Sequence, residues 1–499
     1  MLKSKSTLFS TLTPGDGFAC FASSPLRGAY PVRRRSFNLT RLCGGCYHTG
    51  AISFSKRCPL KKSGTKKPNA PKIIPRPAHT VSRDDISKSA LKVLYRLHKS
   101  GYQAFLVGGC VRDALLDLHP KDFDVATNAT PDEVRALFDN CRLIGRRFRL
   151  AHVRFGREII ETATFRAAAN HAADDVAHDD EGRIIRDNVY GSIDEDVWRR
   201  DFTCNALYYN IADFSIWDYT DGVADIERRR LVLIGDADKR LREDPVRMLR
   251  AVRFAAKLDF TIDPTVVDSM HKHADLLSNV PAARLFDEFL KLFQAGFAEH
   301  TFDLLREYGL FAEMFPATDK ELNDDSSFME FVRAALQNTD RRVANDKSVT
   351  PMFLLGVFFW APTVRLAAIR RAEEKMSESQ ALSLASYELI AQQQRRISIP
   401  KRFTIPMREM LALQPRFENQ RGKRGMKFLE HRRFRAAYDF MMLLSDVGKV
   451  DRQVADFWTG VQKQSADERA KSFQIGAPAT GKRKRRRRRK KRSPPASNS

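Results

Sequence analysis

The sequence predicts an α+β fold: a small mixed-sheet head, then an all-helical neck and body, between disordered basic termini. Three observations predict it. Short apolar runs that end at glycine fall between residues 104 and 165. Helical spacing of apolar residues runs from about Lys239 almost to Lys471. Positive charge gathers at the two ends. With 499 residues, 43% of them apolar, the chain can build sizeable cores in about three domains.

The head elements follow in order. Leu91, Leu94, Tyr95 and His98 recur at helical spacing after Ile86, where order is expected to begin. Ala104-Phe-Leu-Val107 reads as a short strand ending at Gly108-Gly109, with a helix from about Val111. A second strand covers residues 123–126. Thr130-Pro131-Asp132-Glu133 then opens a helix, with Thr130 as N-cap, Pro131 at the first helical position and Glu133 at the third. Residues 151–155 and 158–165 read as a hairpin joined at Gly156, and the acidic stretch 167–187 as a loop. From Lys239 the pattern is helical, with breaks expected at Pro264, Pro281, Pro316, Pro362 and Pro400 and no internal repeat. The predicted divisions are a disordered extension over 1–80, a head over 81–235, a neck over 236–300, a body over 301–472 and a tail over 473–499.

Of the net charge of +25, residues 1–83 carry +15, with Asp16 their only acid. Residues 482–492 are eleven consecutive Lys and Arg, which leaves the stretch between the tails at −1. Such tails bind polyanions by releasing counterions, largely without reading sequence. Cys20, Cys43, Cys46, Cys58, Cys110, Cys141 and Cys204 form an odd, scattered set that suits a reducing compartment. Cys43-Gly-Gly-Cys46, with His48 and Cys58 nearby, has zinc-like spacing but lies in a tail without apolar periodicity, so it reads as tail. The longest apolar run, 352–361 between Pro351 and Pro362, is half a membrane span and reads as a buried helix. The first fifty residues suit an organelle transit peptide in composition, and equally a disordered extension or an upstream start codon chosen in error.

Lys121-Asp-Phe-Asp-Val125 carries the chemistry. On a strand Phe123 and Val125 point inward, while Asp122 and Asp124 share the other face, about 7 Å apart. Two carboxylates so placed repel unless cations bind them, and two Mg²⁺ ions meet that need. They would clamp a triphosphate, activate a hydroxyl and stabilise departing pyrophosphate. An isolated D-x-D is weak. Here it follows Leu106-Val-Gly-Gly-Cys-Val-Arg-Asp113, with Lys121 eight residues beyond Asp113. Glycines before a helix let backbone N–H groups approach a phosphate.

That combination resembles the signature of the polymerase β-like nucleotidyltransferases, in the class containing bacterial poly(A) polymerases and CCA-adding enzymes. The resemblance implies that Asp122 and Asp124 bind Mg²⁺ and that Gly108, Gly109 and Arg112 serve the ATP triphosphate. A third carboxylate commonly completes such a site. Glu161 is one candidate. Asp201 is the other and is preferred, because Arg199-Arg200-Asp201-Phe202-Thr203-Cys204-Asn205-Ala206-Leu207 matches a family motif near sugar and triphosphate. Cys204 stands where Ile is more usual. By the same match Arg200 and Asn205 are nucleotide-binding.

Glu243-Asp244-Pro245-Val246-Arg247 opens a helix with Asp244 as N-cap, and Asp244, Arg247 and Arg250 project from a shared face. The run looks like the family's base-reading E-D-x-x-R motif. Carboxylate accepts and guanidinium donates, so the pair complements the Watson–Crick edge of adenine or cytosine and mismatches uracil and guanine. It leaves ATP and CTP open. Further stretches resemble bacterial poly(A) polymerase I: Ser87 to Leu97, Cys141 to His152, Pro281-Ala-Ala-Arg-Leu-Phe286, Ile399-Pro-Lys-Arg402, and Gly422-Lys-Arg424 with Glu430 to Asp439. The resemblance covers roughly residues 73–460. It implies template-independent polyadenylation of RNA 3′ ends, an RNA-binding body, a link to RNA-decay machinery, a bacterial cytoplasmic setting and no membrane. CCA addition to tRNA is the alternative. A catalytically dead RNA-binding homologue is the non-enzymatic one, and intact Asp122, Asp124, Asp244 and Arg247 argue against it. Oligomeric state is not readable.

Overall fold

The computed structural model describes residues 70–145, 149–167, 176–178, 184–187 and 189–475. The Cys43-Gly-Gly-Cys46 run and the basic run 482–492 lie outside them. Regular structure begins at β1 (Lys72–Ile74), earlier than the sequence predicts. Its two β-branched isoleucines suit a strand, but three residues held between Pro71 and Pro75 are too few to announce one, and β1 forms as an edge by pairing antiparallel with β10 (Ile216–Asp218).

The head then reads α1 (Lys88–Lys99), β2 (Ala104–Val107), α2 (Gly109–Leu115), β3 (Asp124–Thr127), α3 (Pro131–Leu137), β4 (Cys141–Ile144), β5 (Leu150–Phe155) and β6 (Glu158–Thr164). After these come β7 (Val176–His178), β8 (Ile184–Asp187), α4 (Ile193–Arg199), β9 (Leu207–Asn210), β10, α5 (Gly222–Glu227) and β11 (Arg230–Leu231). Eight strands form one sheet in the order β1-β10-β9-β2-β3-β6-β5-β4. Within it β3 and β6 run parallel, and the other pairs are antiparallel. The two-residue period of the strands sorts their side chains onto two faces. Leu106, Val125 and Ile160 pack with Val93, Leu94 and Leu97 of α1. Phe105, Val107 and Ala126 pack with Phe165 and Tyr208 on the opposite face.

Local expectations hold or shift for visible reasons. Thr130 caps α3 through a reciprocal bond set: the Thr130 amide donates to Glu133 at 2.7 Å, and the Glu133 amide donates to the Thr130 hydroxyl at 3.4 Å. α1 buries Ala90, Val93, Leu94 and Leu97 and leaves His98 exposed, so its core stripe is rotated from the predicted one. The stretch predicted as a loop over 167–187 contains β7 and β8, paired antiparallel.

The helical part begins with α6 (Ala237–Glu243), α7 (Val246–Leu258), α8 (Pro264–His273) and α9 (Ala282–Phe293), and β12 (Thr261–Ile262) runs parallel to β11. It continues through α10 (Ala298–Glu307), α11 (Leu310–Met314), α12 (Pro316–Asp324), α13 (Ser326–Ala344), α14 (Pro351–Glu374), α15 (Glu378–Gln393) and α16 (Lys401–Ala412). The last described helices are α17 (Gly422–Phe428), α18 (Phe434–Asp446), α19 (Arg452–Lys463) and α20 (Ala466–Ser472). Pro264, Pro281, Pro316 and Pro400 stand at helix starts, as expected. Pro362 does not break the chain: it lies inside the 24-residue α14. A proline there cannot donate to the carbonyl of Phe358, four residues back. The Thr318 hydroxyl donates to that carbonyl instead, at 2.9 Å, and Thr318 is buried. α14 is long and apolar enough to cross a membrane by length and composition. It packs on α15 and α16, and its first half, including Leu354, Leu355, Phe358 and Phe359, is core.

Candidate active site

The site is built where β2 ends. Gly108 has φ +75° and ψ −131°, a backbone conformation open to glycine alone at small cost. A Cβ on it would lie 3.7 Å from Arg200 Nη1 and 3.8 Å from the Asn205 carbonyl oxygen. The Gly108-Gly109 turn therefore runs directly against the Arg200–Asn205 segment, and the two stretches of sequence form one wall.

The carboxylates lie beside it. Asp122 precedes β3, and Asp124 is its first residue. Phe123 and Val125 are buried while Asp122 and Asp124 are exposed, the alternation the sequence predicts. Across the parallel pairing Asp124 is in register with Glu161 of β6. Val125 and Ile160 pack toward α1, so Asp124 and Glu161 both point to the opposite face. Although the Asp124 residue keeps solvent access, the protein packed around its carboxyl strips away part of its hydration, and this desolvation with the Glu161 carboxylate pushes it up to about 6; Arg200 opposes them and Asp122 adds to them. Glu161 has His152 Nε2 at 3.6 Å. Among the described residues no group of three metal-ligating side chains is already drawn together. The residues nevertheless fit a divalent cation: two adjacent carboxylates, with a third in register, crowd negative charge that hard cations neutralise.

Asp201 is differently engaged. Arg250 donates to one of its oxygens through Nε and Nη2, at 2.8 and 2.5 Å. Asn205 Nδ2 and the Phe202 amide donate to the other, at 3.2 and 2.8 Å. Burial pushes Asp201 up, but these partners outweigh it and hold the carboxyl below its ordinary range. Of the two candidates for the third carboxylate, the structure sets Glu161 next to Asp124 and commits Asp201 to Arg250.

The arginines have defined tasks. Arg112, only 2% exposed, donates to Asp113 and to the Asn205 side chain, and Lys257 also reaches Asp113, at 3.1 Å. Arg200 donates to Asp196 and to the Tyr208 hydroxyl, at 3.0 and 2.7 Å. Burial works against its charge, but Tyr208 and Asp196 raise its pKa regardless.

At the neck, Pro245 takes the cap position of α7, and the Asp244 side chain accepts the Val246 amide at 3.3 Å. Asp244 also accepts both arms of Arg284, at 2.9 and 2.8 Å. Arg247 donates to Glu243 and to the Arg240 carbonyl, at 2.9 and 2.7 Å. Asp244 and Arg247 thus lie one turn apart, each oriented by its own partner. A carboxylate offers about four acceptor positions, so the Arg284 fork leaves room for a further donor on Asp244. Arg284 was not singled out from the sequence. The signal was the Pro281-Ala-Ala-Arg284 stretch, read there only as a likeness.

Poly(A) polymerase I of Salmonella typhi is 47% identical to the chain over 404 residues, which cover 80% of this chain and 87% of that protein. The chain belongs to the poly(A) polymerase family. Poly(A) polymerase I of Haemophilus influenzae is 43% identical over 403 residues, covering 79% of this chain and 88% of that one. The family model "Poly A polymerase head domain" matches residues 104–232. "Probable RNA and SrmB- binding site of polymerase A" matches 259–322, and "Polymerase A arginine-rich C-terminus" matches 374–492. The CCA-adding enzyme of Lactobacillus johnsonii is 34% identical over 230 residues, which cover 46% of this chain and 56% of that enzyme. Membership of the poly(A) polymerase family makes the chain a nucleotidyltransferase, with the mixed-sheet head and helical body described above.

Proposed function

We propose that the protein is a polynucleotide adenylyltransferase that transfers AMP from ATP to the 3′-hydroxyl of RNA, releasing pyrophosphate, without a template. One observation carries this reading over CCA addition. Likeness to the poly(A) polymerases runs through 404 residues at 47% identity, whereas likeness to a CCA-adding enzyme falls to 34% over 230 residues.

Asp122 and Asp124 are the residues that would hold Mg²⁺, with Glu161 as the third carboxylate. Bound there, the cation would supply charge stabilisation on the triphosphate and lower the pKa of the attacking hydroxyl. The chain's own groups do the rest. The Gly108-Gly109 turn presents backbone N–H groups to phosphate. Arg250, anchored on Asp201, and Arg200, anchored on Asp196 and Tyr208, place fixed positive charge on the same wall. Arg112 braces Asn205 from beneath. Asp244 accepts the adenine amine, Arg247 donates to the ring nitrogen, and Arg284 holds Asp244 in place. The division into head, neck and body is proposed along 81–235, 236–300 and 301–472, and the setting is the bacterial cytoplasm.

Purified protein with ATP, CTP, a generic RNA and a tRNA lacking its CCA end tests this directly. Long A tails on generic RNA are expected. Addition limited to two C and one A on the tRNA would replace this reading with CCA addition, and RNA retention without extension would make the chain a binding module.

A further inference from the structure

The outer face of α1 plays no part in the site above. The inner stripe of the helix, Ala90, Val93, Leu94 and Leu97, is core. On the outside Lys88, Lys92, Arg96 and Lys99 are exposed and follow one another at steps of four, four and three residues, so each stands one turn from the next. Leu91 and Tyr95 lie half-buried among them, and the six residues line a groove of about 580 Å³. α1 contains no Asp or Glu, and none of the four cations makes an ion pair among the described residues. The nearest acids in sequence, Asp84 and Asp85, precede the helix, and Asp85 accepts the Ser82 amide at 3.3 Å.

Helix stability does not account for the row. Lys88 is the first helical residue, where the positive end of the helix dipole opposes a cation, and like charges one turn apart weaken a helix. The surface is nonetheless well anchored. Ser87 caps the helix by accepting the Ala90 amide at 3.1 Å, and Arg83 donates to the Tyr95 hydroxyl at 3.2 Å. Lys92 lies over the Phe155 ring and Arg96 over Phe138, 5.9 and 5.1 Å from the ring centroids. The mutual repulsion of the cations is relieved by a partner that brings carboxylates in the same spacing.

We propose that the outer face of α1 docks an acidic amphipathic helix of another protein. Such a helix presents carboxylates one turn apart, in step with the four cations, and an apolar side chain between them fits against Leu91 and Tyr95. RNA suits the groove less well. Three of the four cations are lysines, which lack the fork that takes two phosphate oxygens, and the single guanidinium lies over Phe138. α1 also covers the face of the sheet turned away from Asp124 and Glu161. An RNA end held at those carboxylates would have to pass round the sheet to reach the groove, whereas a protein docked there leaves the site open.

The probe is a labelled helix-forming peptide with Glu at every fourth position and Leu beside each, compared with a counterpart that has glutamine in place of leucine. Binding to the full chain is followed by fluorescence anisotropy. The basic termini attract both peptides through charge alone, so preference for the leucine peptide is what reports the groove. The unmodified chain should prefer it by about tenfold, as one partly buried leucine would give. Lys92→Gln, Arg96→Gln and Lys99→Gln together should abolish that preference while RNA affinity, single-nucleotide addition and melting temperature stay unchanged. Lys92→Glu, Arg96→Glu and Lys99→Glu together should gain binding of a leucine peptide carrying lysine in place of glutamate, a gain that misfolding cannot produce. An unmodified chain that binds both acidic peptides alike overturns the proposal. So does a folded glutamine variant that keeps the preference, or a glutamate variant that gains nothing. If the glutamine variant loses RNA affinity, the row is an RNA path. If the unmodified chain sediments as a dimer and that variant as a monomer, the occupant is a second copy. Either result replaces the proposal.

Discussion

Glu161→Gln and Asp201→Asn, made separately, decide which acid joins the aspartate pair. Glu161 is about half exposed and in register with Asp124 on the neighbouring strand, so the two carboxylates are about 5 Å apart. Between the two carboxylates the Glu161 charge is repulsive, about 3 kcal/mol at an effective dielectric constant of about 20, and it becomes an advantage only when a cation lies between them. Removing it should cost about two orders of magnitude in rate and raise the Mg²⁺ concentration needed for half-maximal turnover. Glutamine keeps the size of the side chain, and an exposed strand position tolerates it, so stability should change little. Asp201→Asn acts elsewhere. It leaves Arg250, with about a third of its side chain exposed, facing a neutral amide, which costs up to about 3 kcal/mol of folding stability. Activity should fall through misplacement of Arg250 and Asn205, with the Mg²⁺ requirement unchanged. Turnover is measured as single-nucleotide addition across a Mg²⁺ titration, and stability by urea unfolding. A Glu161→Gln enzyme with unaltered rate and metal response would refute the reasoning. It would return the third-carboxylate role to Asp201 if Asp201→Asn alone shifted the metal titration.

Asp122→Asn and Asp124→Asn should each abolish nucleotide addition with the fold intact, since both side chains face away from the core; more than about a tenth of normal turnover in either would contradict metal binding there. Arg247→Ala should relax nucleotide choice, costing ATP more than UTP or GTP in a four-nucleotide incorporation assay; an equal drop for all four would make Arg247 structural. Truncation after Gly481 should weaken RNA affinity, flatten its salt dependence and shorten the tails made per binding event, while sparing single-nucleotide chemistry; an unchanged salt slope would mean that the basic run is not an RNA tether. Thr318→Val should lower stability by about 1–3 kcal/mol, because it strands the Phe358 carbonyl above Pro362, and should leave turnover unchanged; a melting temperature equal to that of the parent would show the bond is dispensable.

What the sequence disclosed, and what it hid, divides by range. The alternation that turns Asp122 and Asp124 outward is a two-residue period, and the Thr130 cap spans four residues; both are local and both are present. The strand at Lys72–Ile74 owes its existence to a partner at Ile216–Asp218, so composition could not announce it. Pro362 reads as a break because the residue that satisfies the freed carbonyl, Thr318, lies forty positions away. The same distance problem bears on the third carboxylate. Asp201 stands in a strong motif, but its partner Arg250 is 49 residues further on, and no local pattern says that the two are joined. Glu161 looks like any strand-face acid until the β3–β6 register is known.

The polar links among Lys257, Asp113, Arg112, Asn205, Asp201 and Arg250 cross from α2 to α7 and back. They stitch α7 to the wall formed by the Gly108-Gly109 turn and the Arg200–Asn205 segment. Hinge motion between those two pieces would have to tear several charged contacts at once, so opening and closing around substrate must pivot elsewhere. Modular exchange is constrained in the same way. A hybrid joined at residue 236 would graft a foreign α7 onto this head and mismatch both ends of the chain of links, whereas a junction beyond Leu258 would carry the whole set across intact.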